Sequence, residues 1–535
     1  MKTLRILVLL MTLGIIILIV HSCRSTSYHF RSNYEDANSL LHSPNNLKTK
    51  LFLKAHLING DVCILTDRWN IDTVNNQLTG TGTRYDFNRH IIYRGSMSLP
   101  IDSVAIFETN NKLVDTERDR ILVLTTLAIA NSIGTFMCIL NPKACFGSCP
   151  TFYTEDINNI HYADAEGFSS AIAPSMEYGD IDALNNNELL DKQFSLIMKN
   201  EALETHCVKN VKLLAYPREK GEKVYHSGKD EFYLCENLYT PTDATDESGR
   251  INDLLTYMDI QERFSYADSK NLAQKETIFL TFDNINQNDK LGLVLHFRQT
   301  LMTTYFIYSA LEYMGDEVSD YFAKIEGNNE LMKKLNGGMK ELLGDIDVYV
   351  LDEKNNTWQF QGGLNETGPI AINKQIVPLK NSNKSNTIKL KLILNKGLWR
   401  IDYAALTNIK SKVEPIEIQP SSILNKGKTD FSALEKINSP NDYLISMPGN
   451  EFKLNFILPE KRDYELFLFA KGYYLEWMRE EWLAGKNSLK LKQLFEKPEA
   501  YLKDEAANYK VYETTMEQVF WNSKINTKTF TNYDN

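Results

Sequence analysis

Short apolar runs that alternate with polar residues recur along most of the chain, separated by Gly, Asn and Pro. Examples are residues 62–65, 194–198, 291–297 and 388–394. A period of two places successive side chains on opposite faces of a strand, and turn residues end each run. The sequence therefore predicts a mainly β protein with α insertions (α+β), built as tandem β-sandwich or jelly-roll-like domains with helical connections.

The composition excludes two classes of protein. The chain has 535 residues, of which 11% are aromatic, so it contains enough apolar material to form cores and is not disordered. Its formal net charge is −10, whereas nucleic-acid-binding proteins carry a basic face that releases counterions. We therefore expect no nucleic-acid partner.

Shifts in pattern divide the sequence into six predicted segments. They are a lipoprotein signal peptide (1–22), a flexible tether (23–48), a small β domain plus an apolar helix (49–145), a β-sandwich-like domain with a helical insertion (146–340), a second β-sandwich similar to galactose-binding domains (341–460), and a strand with C-terminal helices (461–535). Helical spacing after Leu301 predicts a helix that ends at Gly315. The apolar run 121–140 predicts a buried helix, with a second membrane segment as the alternative.

The N-terminus predicts where the protein is located. Lys2 and Arg5 precede the apolar run Ile6–Val20, which is shorter than the roughly 20 residues that cross a bilayer, as in a secretory signal. Val20–Cys23 resembles a bacterial lipobox, in which the cysteine receives acyl chains such as palmitate and becomes the new N-terminus. We therefore expect a lipid anchor at Cys23, with an uncleaved membrane anchor as the alternative.

The residues after the lipobox bear on which membrane face the protein occupies. Surface-exported lipoproteins of Bacteroidota often carry acidic residues directly after the cysteine, whereas Arg24–Tyr28 follows here. The sequence therefore favours the cell envelope at the outer membrane, facing the periplasm, with the cell surface as the alternative.

Six cysteines follow Cys23, and an oxidising compartment favours disulfides. The disulfide candidates are Cys145, Cys149, Cys207 and Cys235. Gly and Ser between Cys145 and Cys149 predict a tight, disulfide-closed turn, and a thiol-redox pair is the alternative. A zinc site that adds Cys138 fits poorly, because its gap to Cys145 is wider than the usual spacers. We expect no metal and no cofactor.

The segment Asn141–Tyr153, with its Cys-Phe-Gly-Ser-Cys-Pro motif, resembles a segment of an uncharacterised family of envelope lipoproteins of Bacteroidota. Ala165–Ser170, Asn200–His206 and Gly472–Trp477 extend the resemblance, which runs from about residue 50 to the C-terminus. It implies an envelope location and no particular activity, because that family has no established function.

Aromatic residues are the better indication of function. Trp358, Trp399 and Tyr403 could form a platform on which sugars stack. Trp477 and Trp482 could anchor a partner or close the C-terminal part onto the body. Packing in a core is the alternative for each of them. These five residues are the binding candidates.

Candidate catalytic groups are few. Glu476 and Glu480 would lie on one helical face, where a solvent-facing stripe is favoured over a glycoside-hydrolysing pair. Glu204 and His206 are expected at a solvated strand edge. Nucleophile-elbow, phosphate-loop and dinucleotide motifs are not found, so no residue is assigned a catalytic role.

The sequence therefore favours a lipid-anchored envelope protein that binds or scaffolds protein or glycan partners without catalysis. A glycan-processing hydrolase and a thiol-redox protein that uses Cys145 and Cys149 are the alternatives.

Overall fold

The computed structural model describes residues 27–32, 53–57, 61–72, 75–85, 91–114, 149–155, 161–185, 189, 191–200, 204–228, 231–259, 261–286, 290–326, 338–380, 386–446, 450–476, 482 and 485–514. These residues form several sheets joined by a few helices. The predicted β-rich α+β class is confirmed.

The N-terminal sheet is antiparallel. Its strands are β1 (Ser27–Ser32), β2 (Leu53–Leu57), β3 (Val62–Asp72), β4 (Gln77–Tyr85), β5 (Ile91–Pro100) and β6 (Val104–Val114), in the order β1-β6-β2-β3-β4-β5. Alternate residues such as Leu53, Ala55, Cys63 and Leu65 form its core. β1 lies inside the segment predicted as a flexible tether, where pairing with β6 gives it an extended conformation.

The next strands cover the middle of the chain. They are β7 (Thr151–Glu155), β8 (His161–Glu166), β9 (Tyr178–Ala183), β10 (Gln193–Lys199), β11 (Glu204–Pro217), β12 (Glu222–Ser227), β13 (Glu231–Tyr239), β14 (Asp243–Asp246), β15 (Gly249–Arg250), β16 (Arg263–Phe264), β17 (Lys275–Phe282) and β18 (Leu291–Gln299).

The remaining strands follow the helical insertion. They are β19 (Ile346–Asp352), β20 (Thr357–Leu364), β21 (Asn373–Pro378), β22 (Ile388–Asn395), β23 (Trp399–Val413), β24 (Ile416–Ile418), β25 (Ser422–Asn425), β26 (Lys428–Thr429), β27 (Leu444–Ser446), β28 (Glu451–Ile457) and β29 (Tyr464–Glu476).

Helices of the described residues occur in three places: between β18 and β19, between β26 and β27, and after β29. They are α1 (Met302–Met314), α2 (Val318–Glu326), α3 (Phe431–Asn438), α4 (Ser488–Glu496) and α5 (Pro498–Asp504), and residues 338–343 and 506–514 are also helical. The predicted helix that ends at Gly315 is confirmed as α1, since Gly315 supplies the left-handed C-cap at φ +57°. α4 packs against α1, where the Asn487 amide donates to the Tyr313 carbonyl (2.9 Å).

One β-sandwich, the split sandwich, combines strands from two distant parts of the sequence. Its sheets have the orders β26-β25-β28-β10-β7-β8 and β24-β11-β29-β9, with β27 also paired to β11. Their facing side chains form one core, with members such as Leu196, Val208, Leu454 and Leu468. Residues 222–413 are inserted between its two halves.

This insertion forms a second unit, the inserted sandwich. One sheet has the order β13-β12-β21-β18-β23-β16, and β13 also pairs with β23, which closes five of these strands into a ring. The other, the outer sheet, has the order β15-β14-β17-β22-β19-β20. The inner face of the outer sheet packs with β18, β23 and the helices in the largest core.

The predicted boundaries at 340/341 and 460/461 therefore do not separate independent sandwiches. β18 lies between β21 and β23, and β10 and β11 pair with β28 and β29. Alternation locates strands along the sequence, but it carries no information on which distant strand completes a sheet.

None of the helices in the described residues is long and apolar enough to cross a membrane. The signal peptide, Cys23 and the apolar run 121–140 lie outside the described residues.

Candidate functional site

Carboxylates lie where the two sandwiches meet. We call Glu166, Asp180, Asp182 and Glu366 the carboxylate cluster; Glu166, Asp182 and Glu366 are almost fully buried, and Asp180 is largely buried. Each of the four accepts at least one backbone N–H group, and Asp182 accepts that of Glu166. Glu166 Oε2 accepts from Ile370 (2.6 Å) and Ala371 (2.9 Å), which joins the split sandwich to the inserted one.

Asp180 and Glu366 also accept hydrogen bonds from backbone amides. Asp180 accepts from the amides of Phe168 (2.7 Å) and Ile181 (3.0 Å). Glu366 Oε1 accepts from the amides of Thr367 (2.6 Å) and Gly368 (3.2 Å). The carboxylates of the cluster therefore accept hydrogen bonds from backbone amides where the two sandwiches meet.

Proximity and burial change the protonation of these acids. Burial raises the pKa of Asp180 to about 6, although the Phe168 and Ile181 amides oppose the change. Burial also raises the pKa of Glu366 to about 7, and the Asp180 charge adds to it. The pKa of Asp182 lies well above its usual range because of burial and the neighbouring carboxylates. Burial and neighbouring negative charges therefore both favour the protonated form of these acids.

One glycine permits this arrangement. A Cβ atom on Gly368 would lie 2.5 Å from Glu166 Oε2, which is held in place by two amides. Any larger residue would displace that carboxylate, so the close approach of the loop requires glycine.

A cavity of about 510 Å³ lies beside the carboxylate cluster, a volume typical of small-molecule sites. It is bounded by α1, α2, α4, the helical residues 338–343 and the segment 170–178. Its apolar wall includes Phe306, Leu311, Met314, Phe322, Ile325 and Leu343. Its polar wall includes Ser170, Tyr178, Gln299, Thr303, Asn365 and Thr367.

Tyr178 connects this cavity to the cluster. Its hydroxyl lies 3.3 Å from Asp180 Oδ2 and 3.1 Å from Thr367 Oγ1, and both Tyr178 and Thr367 line the cavity. A ligand at this end would therefore be one hydrogen-bonded side chain away from a buried carboxylate.

A second candidate site lies on the solvent side of the outer sheet. We define the aromatic face as Phe279, Tyr349, Trp358, Phe360 and Lys391. Lys391 on β22 is paired in register with Phe279 on β17 and with Tyr349 on β19. Tyr349 is in turn paired with Phe360 on β20. These four residues therefore form one row across four strands. At the usual strand separation of about 4.8 Å, the row is about 14 Å long.

Strand alternation explains why this face is exposed. Ile278 and Leu280 flank Phe279 and enter the core, whereas Phe279 itself is 44% exposed. Phe360, on the edge strand β20, is 58% exposed. Large apolar side chains gathered on one exposed surface commonly mark a binding site.

The rings of the face contact one another. The ring centroids are 5.9 Å apart for Phe279 and Trp358 and 5.4 Å apart for Tyr349 and Phe360. Lys391 Nζ lies 4.9 Å from the Tyr349 centroid and 5.0 Å from the Trp358 centroid, which are cation–π distances. These contacts hold the rings in place before any ligand binds.

The five predicted binding residues do not form one site. Trp358 is half-buried and belongs to the aromatic face. Trp399 and Tyr403 are buried in β23, beside Phe297 and His296 respectively, and are core residues rather than a stacking platform. Both faces of β23 are covered because it lies inside the inserted sandwich.

The two C-terminal tryptophans are also separate from the aromatic face. Trp482 is buried, and its ring centroid lies 4.8 Å from that of Tyr308 on α1. It therefore packs the C-terminal region onto the helices, the second of the two roles expected of it. Trp477 lies outside the described residues.

The expected positions of the acidic candidates were wrong. Glu476 ends strand β29 rather than lying on a helix, and it is paired in register with Glu204 on β11. Glu204, His206 and Glu476 are all buried, because β11 is an interior strand and not a solvated edge. Glu480 lies outside the described residues.

The described cysteine candidates are buried. Cys149, Cys207 and Cys235 form no disulfide with one another or with Cys63, the other described cysteine. Cys149 has a left-handed φ of +124°, its amide donates to Glu204 (3.1 Å), and its Sγ lies 3.2 Å from Ser169 Oγ. Cys145 lies outside the described residues, so its pairing stays a prediction.

Sequence reasoning missed most of the two candidate sites. Phe279 could have been identified, because it stands out of phase with Ile278 and Leu280 in a regular alternation. Tyr178, Glu366 and Thr367 carried no local signal, since their importance comes from contacts between distant segments.

Comparisons with known proteins add little. No protein-family model matches the chain. A search of curated proteins also found no match. Among solved structures, the chain aligns with "Secreted serine protease VesC from Vibrio cholerae" at 9% identity and a TM-score of 0.14, over 71% of this chain and 76% of that one. At that TM-score the likeness indicates neither fold nor activity.

Proposed function

We propose that the protein is a lipid-anchored envelope protein that binds a glycan, without catalysing a reaction, through the aromatic face. The observation that carries the proposal is the in-register row Phe279–Lys391–Tyr349–Phe360 with Trp358 beside it. Rings fixed at the surface offer flat apolar areas to the C–H faces of sugar rings and lose little side-chain freedom on binding.

The surroundings of the rings favour a glycan over a protein partner. Thr245, Thr277, Thr281 and Lys389 share the outer side of the sheet with the rings, because each is paired with an outward residue of the next strand. Hydroxyl and ammonium groups between exposed rings suit a ligand that alternates apolar faces with hydroxyl groups. A protein interface would instead be expected to have a continuous apolar centre.

The alternatives receive less support. The candidate acid Glu476 and the thiol of Cys149 are both buried, whereas a hydrolase or a redox protein must present such groups to a substrate.

An array of bacterial-envelope and plant polysaccharides, probed with the purified protein lacking residues 1–22, tests the binding. We expect retention of at least one glycan class, and at least a tenfold loss of retention in Trp358→Ala/Phe360→Ala. Phe431→Ala is the control, because Phe431 is an aromatic residue on α3, outside the outer sheet, and is even more exposed (76%) than Phe360 (58%).

Two results would contradict the glycan. One is an array on which the wild-type protein retains nothing. The other is retention that the double substitution leaves unchanged. Capture of an envelope protein that the same substitution abolishes would replace the glycan with a protein partner.

The anchor has a separate test. Expression of full-length wild type and Cys23→Ser with labelled palmitate should label only the wild type, and the variant should leave the membrane fraction. Equal labelling of both proteins would exclude Cys23 as the acylation site. Membrane retention of the unlabelled variant would favour an uncleaved anchor.

A further inference from the structure

Polar groups that line the cavity beside the carboxylate cluster lie close together, since the Tyr178 hydroxyl is 3.1 Å from Thr367 Oγ1 and Gln299 Nε2 donates to the Glu366 carbonyl (2.6 Å). One wall is hydrocarbon, from residues such as Phe306, Leu311, Phe322 and Leu343, while Met176, Met314 and Met339 add flexible thioether side chains. Methionine side chains adapt to the shape of an apolar ligand. The other wall, with Tyr178, Thr367, Gln299 and Asn365, offers uncharged hydrogen-bonding groups.

The charges behind the polar wall select among ligand heads. The Tyr178 hydroxyl lies 3.3 Å from Asp180 Oδ2, and the Thr367 amide donates to Glu366 Oε1 at 2.6 Å. Glu177 also lines the cavity, and its carboxylate pairs with Lys209 (3.0 Å) and Lys471 (3.3 Å). Above about pH 7, where Asp180 and Glu366 are ionised, a negative head at the Tyr178 end would face their charges, whereas a positive or donating head would be attracted to them.

We propose that this cavity binds an amphiphile with a single hydrocarbon chain and a hydrogen-bond-donating head that carries no negative charge. The head lies at the Tyr178–Thr367 end, and the chain lies along α1 and α2. This site is distinct from the aromatic face and does not depend on the glycan proposal.

One group offers a competing chemistry. Lys340 lines the cavity from the helical residues 338–343 and is exposed, so it would favour a carboxylate head if it set the selectivity. Stronger binding of an amine or alcohol would therefore place the head at Tyr178 and Thr367, and stronger binding of a carboxylate would place it at Lys340.

Calorimetric titration of the protein with decylamine, 1-decanol and decanoate, below their micelle-forming concentrations, tests the proposal. We expect one molecule of decylamine or decanol per chain, and at least tenfold weaker binding of decanoate. Octylamine should bind roughly fifteenfold more weakly than decylamine, because it is two methylenes shorter and each buried methylene contributes a factor of about four.

Two substitutions test the location. Ala310→Trp fills the cavity from α1 and should abolish binding, with folding checked by thermal melting. Tyr178→Phe keeps the shape of the side chain and removes its hydroxyl, so the affinities for decylamine and decanol should each fall about fivefold. The ratio of the decylamine and octylamine affinities should stay the same as in the wild type. Phe360→Ala, on the aromatic face, should bind decylamine like the wild type.

The proposal is overturned if none of the probes binds saturably at one per chain. It is also overturned if decanoate binds as well as decylamine, or if a folded Ala310→Trp binds decylamine normally. If Ala310→Trp does not fold, Tyr178→Phe decides: unchanged affinity for both decylamine and decanol would contradict the placement of the head.

Discussion

The aromatic face and the cavity are two candidate binding regions that arise by opposite means. The face is made by one sheet, whose strands place every second side chain outward, so Phe279, Lys391, Tyr349 and Phe360 align through backbone pairing alone. The cavity is made by helices and loops from both sandwiches that happen to leave space between them. A local pattern therefore determines the first region, and long-range packing determines the second.

Two tryptophans provide the sharpest form of this comparison. Trp399 is fully buried, and Trp358 stands on the aromatic face. We expect Trp399→Ala to lower the free energy of unfolding by about 3–5 kcal/mol, because it leaves a large cavity in the core. Trp358→Ala should change it by less than about 1 kcal/mol. Urea denaturation of both variants measures this.

Equal losses of stability in these two variants would break the comparison. They would mean that the rings of the aromatic face serve as packing material for the outer sheet, rather than as a surface available to a ligand.

The carboxylate cluster predicts an unusual dependence of stability on pH. Asp180 and Glu366 have pKa values raised to about 6 and about 7, so the folded protein binds more protons than the unfolded chain between about pH 4 and 7. Their contribution is complete below about pH 4 and is lost as the pH rises through these values. The loss is on the order of 3 kcal/mol per group.

Glu366→Gln should therefore flatten the decline in unfolding free energy between pH 4.5 and pH 8, measured by urea denaturation. Asp283→Asn is the control, since hydrogen bonds from Thr387 and Thr242 lower the pKa of that exposed carboxyl, and its titration lies below this window. If unfolding free energy declines with pH as steeply in Glu366→Gln as in the wild type, Glu366 is not a source of the pH dependence.

The smallest expected effect concerns the cation in the row. Lys391→Met keeps most of the aliphatic stem but removes the charge above Tyr349 and Trp358. An exposed cation–π contact contributes about 0.5–1 kcal/mol, so the affinity for a retained glycan should fall about two- to fivefold. An unchanged affinity would mean that the charge of Lys391 does not contribute to glycan binding.

The sequence predicted what depends on local pattern. The strand at 388–394 and the helix that ends at Gly315 follow from alternation, helical spacing and turn residues. It did not predict the partners of β18 or the burial of both faces of β23, because pairing between strands that are far apart in the sequence leaves no periodic signal.

The carboxylate cluster could not be predicted from the sequence either. Glu166 and Ile370 are brought together only when the two sandwiches close on each other, and no spacing in the chain relates them. A buried acid is also opposed by average residue preference, which places glutamate at the surface.

The most direct test of the central claim is the affinity of an array-identified oligosaccharide for the wild type, Trp358→Ala/Phe360→Ala and Phe431→Ala, measured by calorimetry. We predict at least a tenfold loss of affinity in the double variant, with unfolding free energy close to that of the wild type, and no loss in Phe431→Ala. Equal affinity in all three proteins would contradict the assignment of glycan binding to the aromatic face.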